Sequence, residues 1–326
     1  MEIRRLRRGF RWAYTVFLVA AFAIIYQRYS LPPLPPRFHW KFLGVAGLGQ
    51  IAFWWLYAAI WRYLVHTLAG HRLSLRDAWI QCGLMAVGKY LPGKIWGLLG
   101  RGAALVDLGA SPAESLWIAY TEQLAFVHAG VLVALSAFVW ANPMGPMPLL
   151  AGAAALLSVP MAAYWGGTIY HLIGRYVTTV THPLPAEQGP AEGRKMGTTT
   201  RPPLRWDWGP TEYLVLLGPF IGLWSLAGVV FAALYFTLYP FDAGAFPALI
   251  TANAISLILG FLAFFAPAGI GVREAAILAI AGGAIPLESA AVLAGVYRAW
   301  TLATDAFSGA VVLVLQFSHR RKEADG

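Results

Sequence analysis

Residues 245–284 read AFPALITANAISLILGFLAFFAPAGIGVREAAILAIAGGA. The stretch is apolar enough to sit in lipid, yet its middle, Phe265-Ala-Pro-Ala-Gly-Ile-Gly-Val-Arg-Glu274, interrupts any single helix. Proline removes a backbone donor and clashes with the preceding turn, and glycine accepts the backbone angles of a tight reversal. Residues 77–108 have the same character: Gly88-Lys-Tyr-Leu-Pro-Gly-Lys94 breaks the run, followed by Ile95 to Gly100 and then Arg101. Three of the four arms so defined have about 15 residues, roughly 22 Å of helix, short of the ~30 Å of hydrocarbon in a bilayer. Re-entrant helical hairpins with tips at membrane depth fit these lengths. Ordinary kinked spanning helices are the alternative, which the longer entering arm of the second stretch keeps open.

Around these hairpins lie unbroken apolar runs at about 12–29, 41–64, 113–140, 148–172, 211–236 and 287–317. Each is long enough to cross a bilayer as a helix. The sequence predicts an all-α polytopic membrane protein with about six spanning helices plus the two hairpins. The whole chain, residues 1–326, then forms a single integral membrane domain. Composition agrees: the chain is 59% hydrophobic and 12% charged, against about 25% charged in a soluble domain. The net charge of +9 would suggest nucleic acid in a soluble protein, but here the basic residues cluster at helix flanks, where they set orientation.

Arg4, Arg5, Arg7, Arg8 and Arg11 precede the first run; Arg62, His66, His71, Arg72 and Arg76 follow the second; His319-Arg-Arg-Lys322 closes the last. All fall on one side, which places both termini in the cytoplasm, with the chain in the cell's inner (cytoplasmic) membrane. No small-x-small cleavage site follows the first run, so an uncleaved helix is expected there rather than a signal peptide. Residues 173–210, rich in Pro, Gly, Thr and basic side chains, are expected to form a flexible cytoplasmic loop. The lone Cys82 precludes an internal disulfide, and the seven histidines have no ligand spacing, so neither a metal nor another cofactor is expected.

The two broken stretches also resemble each other. Arg101-Gly-Ala-Ala-Leu-Val-Asp-Leu-Gly-Ala-Ser-Pro-Ala-Glu-Ser115 matches Arg273 to Ile280 and then Gly283 to Ser289 at eight of fifteen positions, allowing a two-residue insertion at Ala281-Gly282. Repeat 1 then covers about 12–140 and repeat 2 about 148–317. Three spans separate the hairpins, an odd number, so they enter from opposite faces: an inverted-topology repeat. In transporters built this way, substrate binds near the midplane between broken helices, and irregular backbone survives there only if buried in protein or lining a wet cavity.

Ionisable groups near the bilayer centre are costly and are usually paired or functional. The hairpins carry Lys89, Lys94, Arg101, Arg273 and Glu274; the adjoining spans carry Glu122, Arg298 and Asp305. Glu122 and Arg298 occupy similar places in the two repeats and are expected to pair, with Glu274 neutralising Arg273. That leaves surplus positive charge from Lys89, Lys94 and Arg101, suited to an anionic headgroup. Glu114 and Glu288, each just after a proline, read as first-turn helix caps.

The segment Pro267-Ala-Gly-Ile-Gly-Val-Arg-Glu-Ala-Ala-Ile277, with Tyr90-Leu-Pro-Gly-Lys94 and Arg101, resembles the lysylphosphatidylglycerol synthase transmembrane-region family. The resemblance spans about 10–318 and implies a flippase-like membrane region, in the namesake one that moves aminoacylated phospholipid between leaflets. Other members of the family are linked to glycolipid and cell-envelope assembly. By the resemblance, Pro267, Gly269, Gly271, Arg273 and Glu274 form the functional cluster, with Pro92, Gly93, Lys94 and Arg101 opposite. No soluble aminoacyltransferase domain follows within the 326 residues, so no lysyl transfer is expected on this chain, and a lysylated lipid is not the expected cargo.

The expected activity is therefore non-enzymatic: transport of an anionic amphiphile (phospholipid, glycolipid or polyprenyl-phosphate carrier) between leaflets, without nucleic acid. Lys94, Arg101 and Arg273 would hold phosphate, with Lys89, Glu122, Glu274 and Arg298 around them. The sequence has no Gly-x-x-x-x-Gly-Lys-[Ser/Thr] loop, so an ion gradient or downhill scrambling is the expected drive, with Glu122, Glu274 and Asp305 as the deep carboxylates. The alternative is an intramembrane enzyme or accessory subunit of envelope assembly, although the chain lacks the Asp-rich motif such chemistry usually uses. A scaffold for such enzymes is a third reading. Partners other than lipid, whether a second copy or envelope-synthesis enzymes, stay open.

Overall fold

A computed structural model describes residues 38–90, 96–142, 144, 146–180, 210–263 and 266–324. They form nine α-helices and one short 3-10 turn, with no strand among them. The helices are α1 (Trp40–Ala69), α2 (Leu75–Gly88), α3 (Trp96–Asp107), α4 (Pro112–Ala141), α5 (Pro146–Val180), α6 (Pro210–Leu238), α7 (Phe246–Leu262), α8 (Val272–Ala281) and α9 (Leu287–Ala324). The 3-10 turn, Pro267–Gly269, sits between α7 and α8.

Five helices, α1, α4, α5, α6 and α9, contain stretches long and apolar enough to cross a membrane, at the places the apolar runs indicate. The protein is a polytopic helical membrane protein. The expected first span at 12–29 lies outside the described residues, as do 181–209 of the expected loop. The first eight residues of that loop, 173–180, instead continue α5. Ile173, Tyr176, Val177 and Val180 add apolar residues beyond the run, and no proline intervenes before Pro183, so no strong helix breaker stops the helix earlier.

The two Pro/Gly-broken stretches form two helical hairpins, α2–α3 and α7–α8, whose arms pack on each other. Their four arms have 14, 12, 17 and 10 residues, about 21, 18, 26 and 15 Å of helix. Ser74 caps α2 by accepting from the Asp77 N–H at 3.1 Å. Ser111 and Glu114 form a reciprocal capping box on α4, with Pro112 in its first turn. Glu288 stands in the first turn of α9. These contacts give Glu114 the expected capping role and put Glu288 in the matching place.

Glycine closes both hairpins in the same way. A Cβ on Gly88 would collide with the backbone of Gly97, and a Cβ on Gly269 would lie 2.8 Å from the Cα of Gly260. Each pair is nine residues apart, and in each the second glycine precedes an arginine, Arg101 or Arg273, by four. The packing of the whole follows the same pattern. Arm α2 lies against α9, arm α7 lies against α4, and α1 packs along α6. Each half of the chain thus lends its hairpin to the last helix of the other half.

Because the Gly88–Gly97 approach is backbone on backbone, Gly88→Ala is expected to destabilise the protein by about 1–3 kcal/mol, the usual range for overpacking. Gly100→Ala, where an added methyl meets nothing within 4 Å, should be neutral or stabilising by up to about 1 kcal/mol. Thermal unfolding in detergent separates the two.

Candidate functional site

The hairpin tips meet. The Ala268 N–H donates to the Lys89 carbonyl at 3.1 Å, joining the end of α2 to the turn before α8. Ala268 takes a left-handed conformation, φ 50° and ψ 19°, which costs an L-residue about 1–2 kcal/mol. Both of its backbone polar groups are held, because its carbonyl accepts from Arg298 Nη1 at 3.1 Å.

Helix α9 fastens both tips. Asp305 accepts from Lys89 Nζ at 2.7 Å and from the Tyr90 hydroxyl at 2.6 Å, both on Oδ2. Arg298 lies seven residues earlier, two turns back on the same face, and holds the other tip through Ala268. Its guanidinium also stands 3.8 Å from Glu274 Oε1. The other oxygen of Glu274 caps α8 by accepting from the Gly271 N–H at 2.7 Å.

A cavity of about 280 Å³ opens where the tips and the long helices converge. Trp54, Phe126, Trp224 and Phe261 contribute aromatic rings to a mostly apolar wall, while Lys89, Arg273 and Asp305 bring charge to it. Gln50 and Gln123 add amides; Gln50 accepts from Trp300 Nε1 at 3.0 Å, and Gln123 donates to Glu122 at 3.1 Å. The Trp54 indole N–H is buried without a partner.

Arg273 is 7% exposed, and its guanidinium carbon lies 5.2 Å from the Tyr297 ring centroid. Its stem crosses Gly260 and Gly269; a Cβ on Gly260 would strike its Cγ, and one on Gly269 would stand 3.0 Å from its Cδ. The two glycines therefore close the hairpin and also clear the path along which Arg273 reaches the cavity. Among the described residues, no carboxylate lies within ion-pair distance of Arg273.

Two expected pairings are corrected. Glu122 pairs with Arg101 rather than Arg298, and both residues are 1% exposed. The Arg101 guanidinium also lies 3.6 Å over the Trp61 ring and donates from Nη1 to the Tyr57 hydroxyl at 3.3 Å. Arg101 and Glu122 follow one another through α3 and the start of α4, so the nearer partner takes the charge. Glu274 does not neutralise Arg273, because one of its oxygens is held by the helix start it caps and the other faces Arg298.

The surplus of positive charge is also distributed differently from expectation. Arg101 is sealed behind Tyr57 and Cys82, away from the cavity lining, and Lys89 is matched by Asp305. Of the expected set, the cavity gathers Lys89 and Arg273, with Gly269 against the Arg273 stem, Glu274 in the first turn of α8 and Arg298 on α9 holding the Ala268 carbonyl. Pro92, Gly93 and Lys94 lie outside the described residues. Tyr57 and Trp61 belong to the network but carry no sequence signal of it, since an aromatic in an apolar run reads as filler; Tyr90, quoted within the first-hairpin motif, joins them through Asp305. Among the described residues no His, Cys, Asp and Glu come together as a metal site.

The family model described as "Lysylphosphatidylglycerol synthase TM region" matches residues 12–309. Searches of curated proteins and of solved structures returned no match.

Proposed function

The chain belongs to the lysylphosphatidylglycerol synthase transmembrane family, and from that premise we propose that it moves an anionic amphiphile between membrane leaflets, with Arg273 gripping the phosphate. The observation that carries this reading is the contrast between the two arginines. In the first half, Glu122 stands eight residues after the capping Glu114 and neutralises Arg101. In the second half, the position eight residues after Glu288 is Val296, and among the described residues Arg273 lines the cavity with no carboxylate within ion-pair distance. Two equivalent arginines have diverged, one to hold the fold and one to hold a ligand.

The hairpins are re-entrant in this proposal, since three of their four arms fall well short of ~30 Å of hydrocarbon. Three long apolar helices, α4, α5 and α6, lie between them, so the tips arrive from opposite faces as an inverted repeat. Their contact at Lys89 and Ala268 then falls near the midplane, where such repeats bind substrate. A forked guanidinium takes two phosphate oxygens at once, the mostly apolar wall suits the less polar part of a headgroup, and the tails stay in lipid. Rocking one hairpin against the other opens the cavity to each leaflet in turn. The chain acts here as a transporter rather than an enzyme.

Reconstitution tests this reading. Purified protein in vesicles holding leaflet-labelled phosphatidylglycerol, a phosphodiester glycolipid or polyprenyl phosphate should speed the crossing of at least one of them, leaving lipid mass unchanged. Arg273→Ala should lower that rate at least tenfold while the melting temperature moves by no more than a few degrees. A change in lipid mass would favour the enzyme reading. Full activity in Arg273→Ala would remove the proposed phosphate grip.

A further inference from the structure

Of the three deep carboxylates, Asp305 alone lines the cavity. Glu122 is sealed against Arg101, and Glu274 is engaged at the start of α8. The Asp305 side chain is 8% exposed and rests on Lys89 and the Tyr90 hydroxyl, while Lys89 is 38% exposed on a flexible stem. The charged and titratable groups around Asp305 come from three elements: Lys89 and Tyr90 from the end of α2, Arg273 from α8, and Tyr297 and Arg298 from α9 itself. Tyr57 and Cys82 complete the titratable lining. Helix α6 contributes Leu223, Trp224, Ala227 and Val230, none of which titrates.

An anion that reaches Arg273 enters the same cavity as Lys89 and competes with Asp305 for it. Once Lys89 and Arg273 turn to the phosphate, with Arg298 held by the Ala268 carbonyl and Glu274, the nearly buried Asp305 keeps only the Tyr90 hydroxyl as a direct partner. A buried carboxylate that loses its ammonium partner regains a match for its charge by binding a proton. We infer that Asp305 takes up one proton for each anionic lipid bound and gives it back when the lipid leaves, making the transport a proton symport. The inference rests on the lipid-transport reading above.

The balance is simple. A proton from the water on the loading side converts the Asp305 carboxylate to the acid; Lys89 stays an ammonium, and the phosphodiester keeps its single negative charge. On the far side the lipid departs, Lys89 returns to Asp305, and the proton is released there. One negative and one positive charge cross together, so the cycle is electroneutral. Lipid accumulates on the alkaline side.

The test uses the full chain in vesicles containing fluorescent phosphatidylglycerol, with a pH dye in the lumen. A difference of one pH unit is a factor of ten in proton activity, so lipid should distribute up to about tenfold toward the alkaline leaflet. The dye should register protons moving with it. A potassium diffusion potential without a pH difference should cause no redistribution. Asp305→Asn cannot carry the proton and should lose the pH-driven redistribution; lipid it still moves crosses as the bare anion and follows the potassium potential, whereas Asp305→Glu should regain the pH response. The wild-type measurement stands without either variant, should one fold poorly. Wild-type lipid crossing that ignores the pH difference, or follows the membrane potential, would overturn the proton role and leave lipid transport standing. No crossing of the labelled lipid under any gradient would overturn the symport outright; if the glycolipid and polyprenyl phosphate also fail to cross, lipid transport falls with it.

Discussion

Arg101→Met is expected to cut the unfolding free energy by about 3–5 kcal/mol, the range for breaking a buried ion pair from one side. Arg101 and Glu122 are each 1% exposed. Removing the guanidinium strands the Glu122 carboxylate, one of whose oxygens, Oε1, already lacks a partner. It also bares the Trp61 face and the Tyr57 hydroxyl that the guanidinium covers and donates to. The double variant Arg101→Met/Glu122→Leu removes both charges at similar volume and should recover most of the loss, because a well-packed apolar pair often matches a buried ionic one. Arg101→Lys should fall between, since an ammonium lacks the flat fork that stacks on an indole and reaches two oxygens. Chemical or thermal unfolding of the detergent-purified variants orders the three. A double variant no better than the single would mean that the pair contributes more than the repair of its own desolvation.

The parts of the fold written in apolar length were legible. The long helices from α1 onward stand where runs of about 20 apolar residues stand, because bilayer thickness leaves a helix few alternatives. The hairpins were legible through Pro92 and Pro267. Those prolines also concealed the register, since they precede Arg101 and Arg273 by different distances. The common measure is the pair of glycine contacts, Gly88 with Gly97 and Gly260 with Gly269, and a glycine in a membrane helix is too ordinary to attract notice. The charge pairing is not legible in the sequence, because it depends on which face each helix turns to its neighbour. Glu122 can meet Arg101 only because α3 folds back along α4, and no spacing in the chain reveals that. The role of Ala268 was beyond any sequence reading, since it acts through its backbone N–H and carbonyl. The same shift in pairing turned Arg101, first grouped with the ligand-holding cations, into a structural residue, and left Arg273 to face the cavity.

Val296→Glu is expected to bring lipid transport down to the rate of empty vesicles without destabilising the protein. Counted from the first-turn glutamates Glu114 and Glu288, Val296 occupies in α9 the place that Glu122 occupies in α4. A carboxylate there would stand to Arg273 as Glu122 stands to Arg101. Val296 is part-buried, and a lone carboxylate inserted at such a site would ordinarily be costly. On the proposed correspondence of the two halves the new carboxylate faces Arg273, so an ion pair would offset that cost and the melting temperature should hold or rise. The ligand loses twice over: the guanidinium is occupied, and a negative charge repels the incoming phosphate. Val296→Gln carries the same bulk without the charge and should retain transport within a few-fold, which separates electrostatic capture from steric block. Adding Arg273→Ala to Val296→Glu removes the compensating cation and should lower the unfolding free energy by about 3–5 kcal/mol relative to Val296→Glu alone, the range for an unpaired buried charge, seen as a lower melting temperature. If Val296→Glu transports lipid at the unaltered rate, then Arg273 is not the group that holds the phosphate, and the divergence of the two arginines has some purpose other than binding.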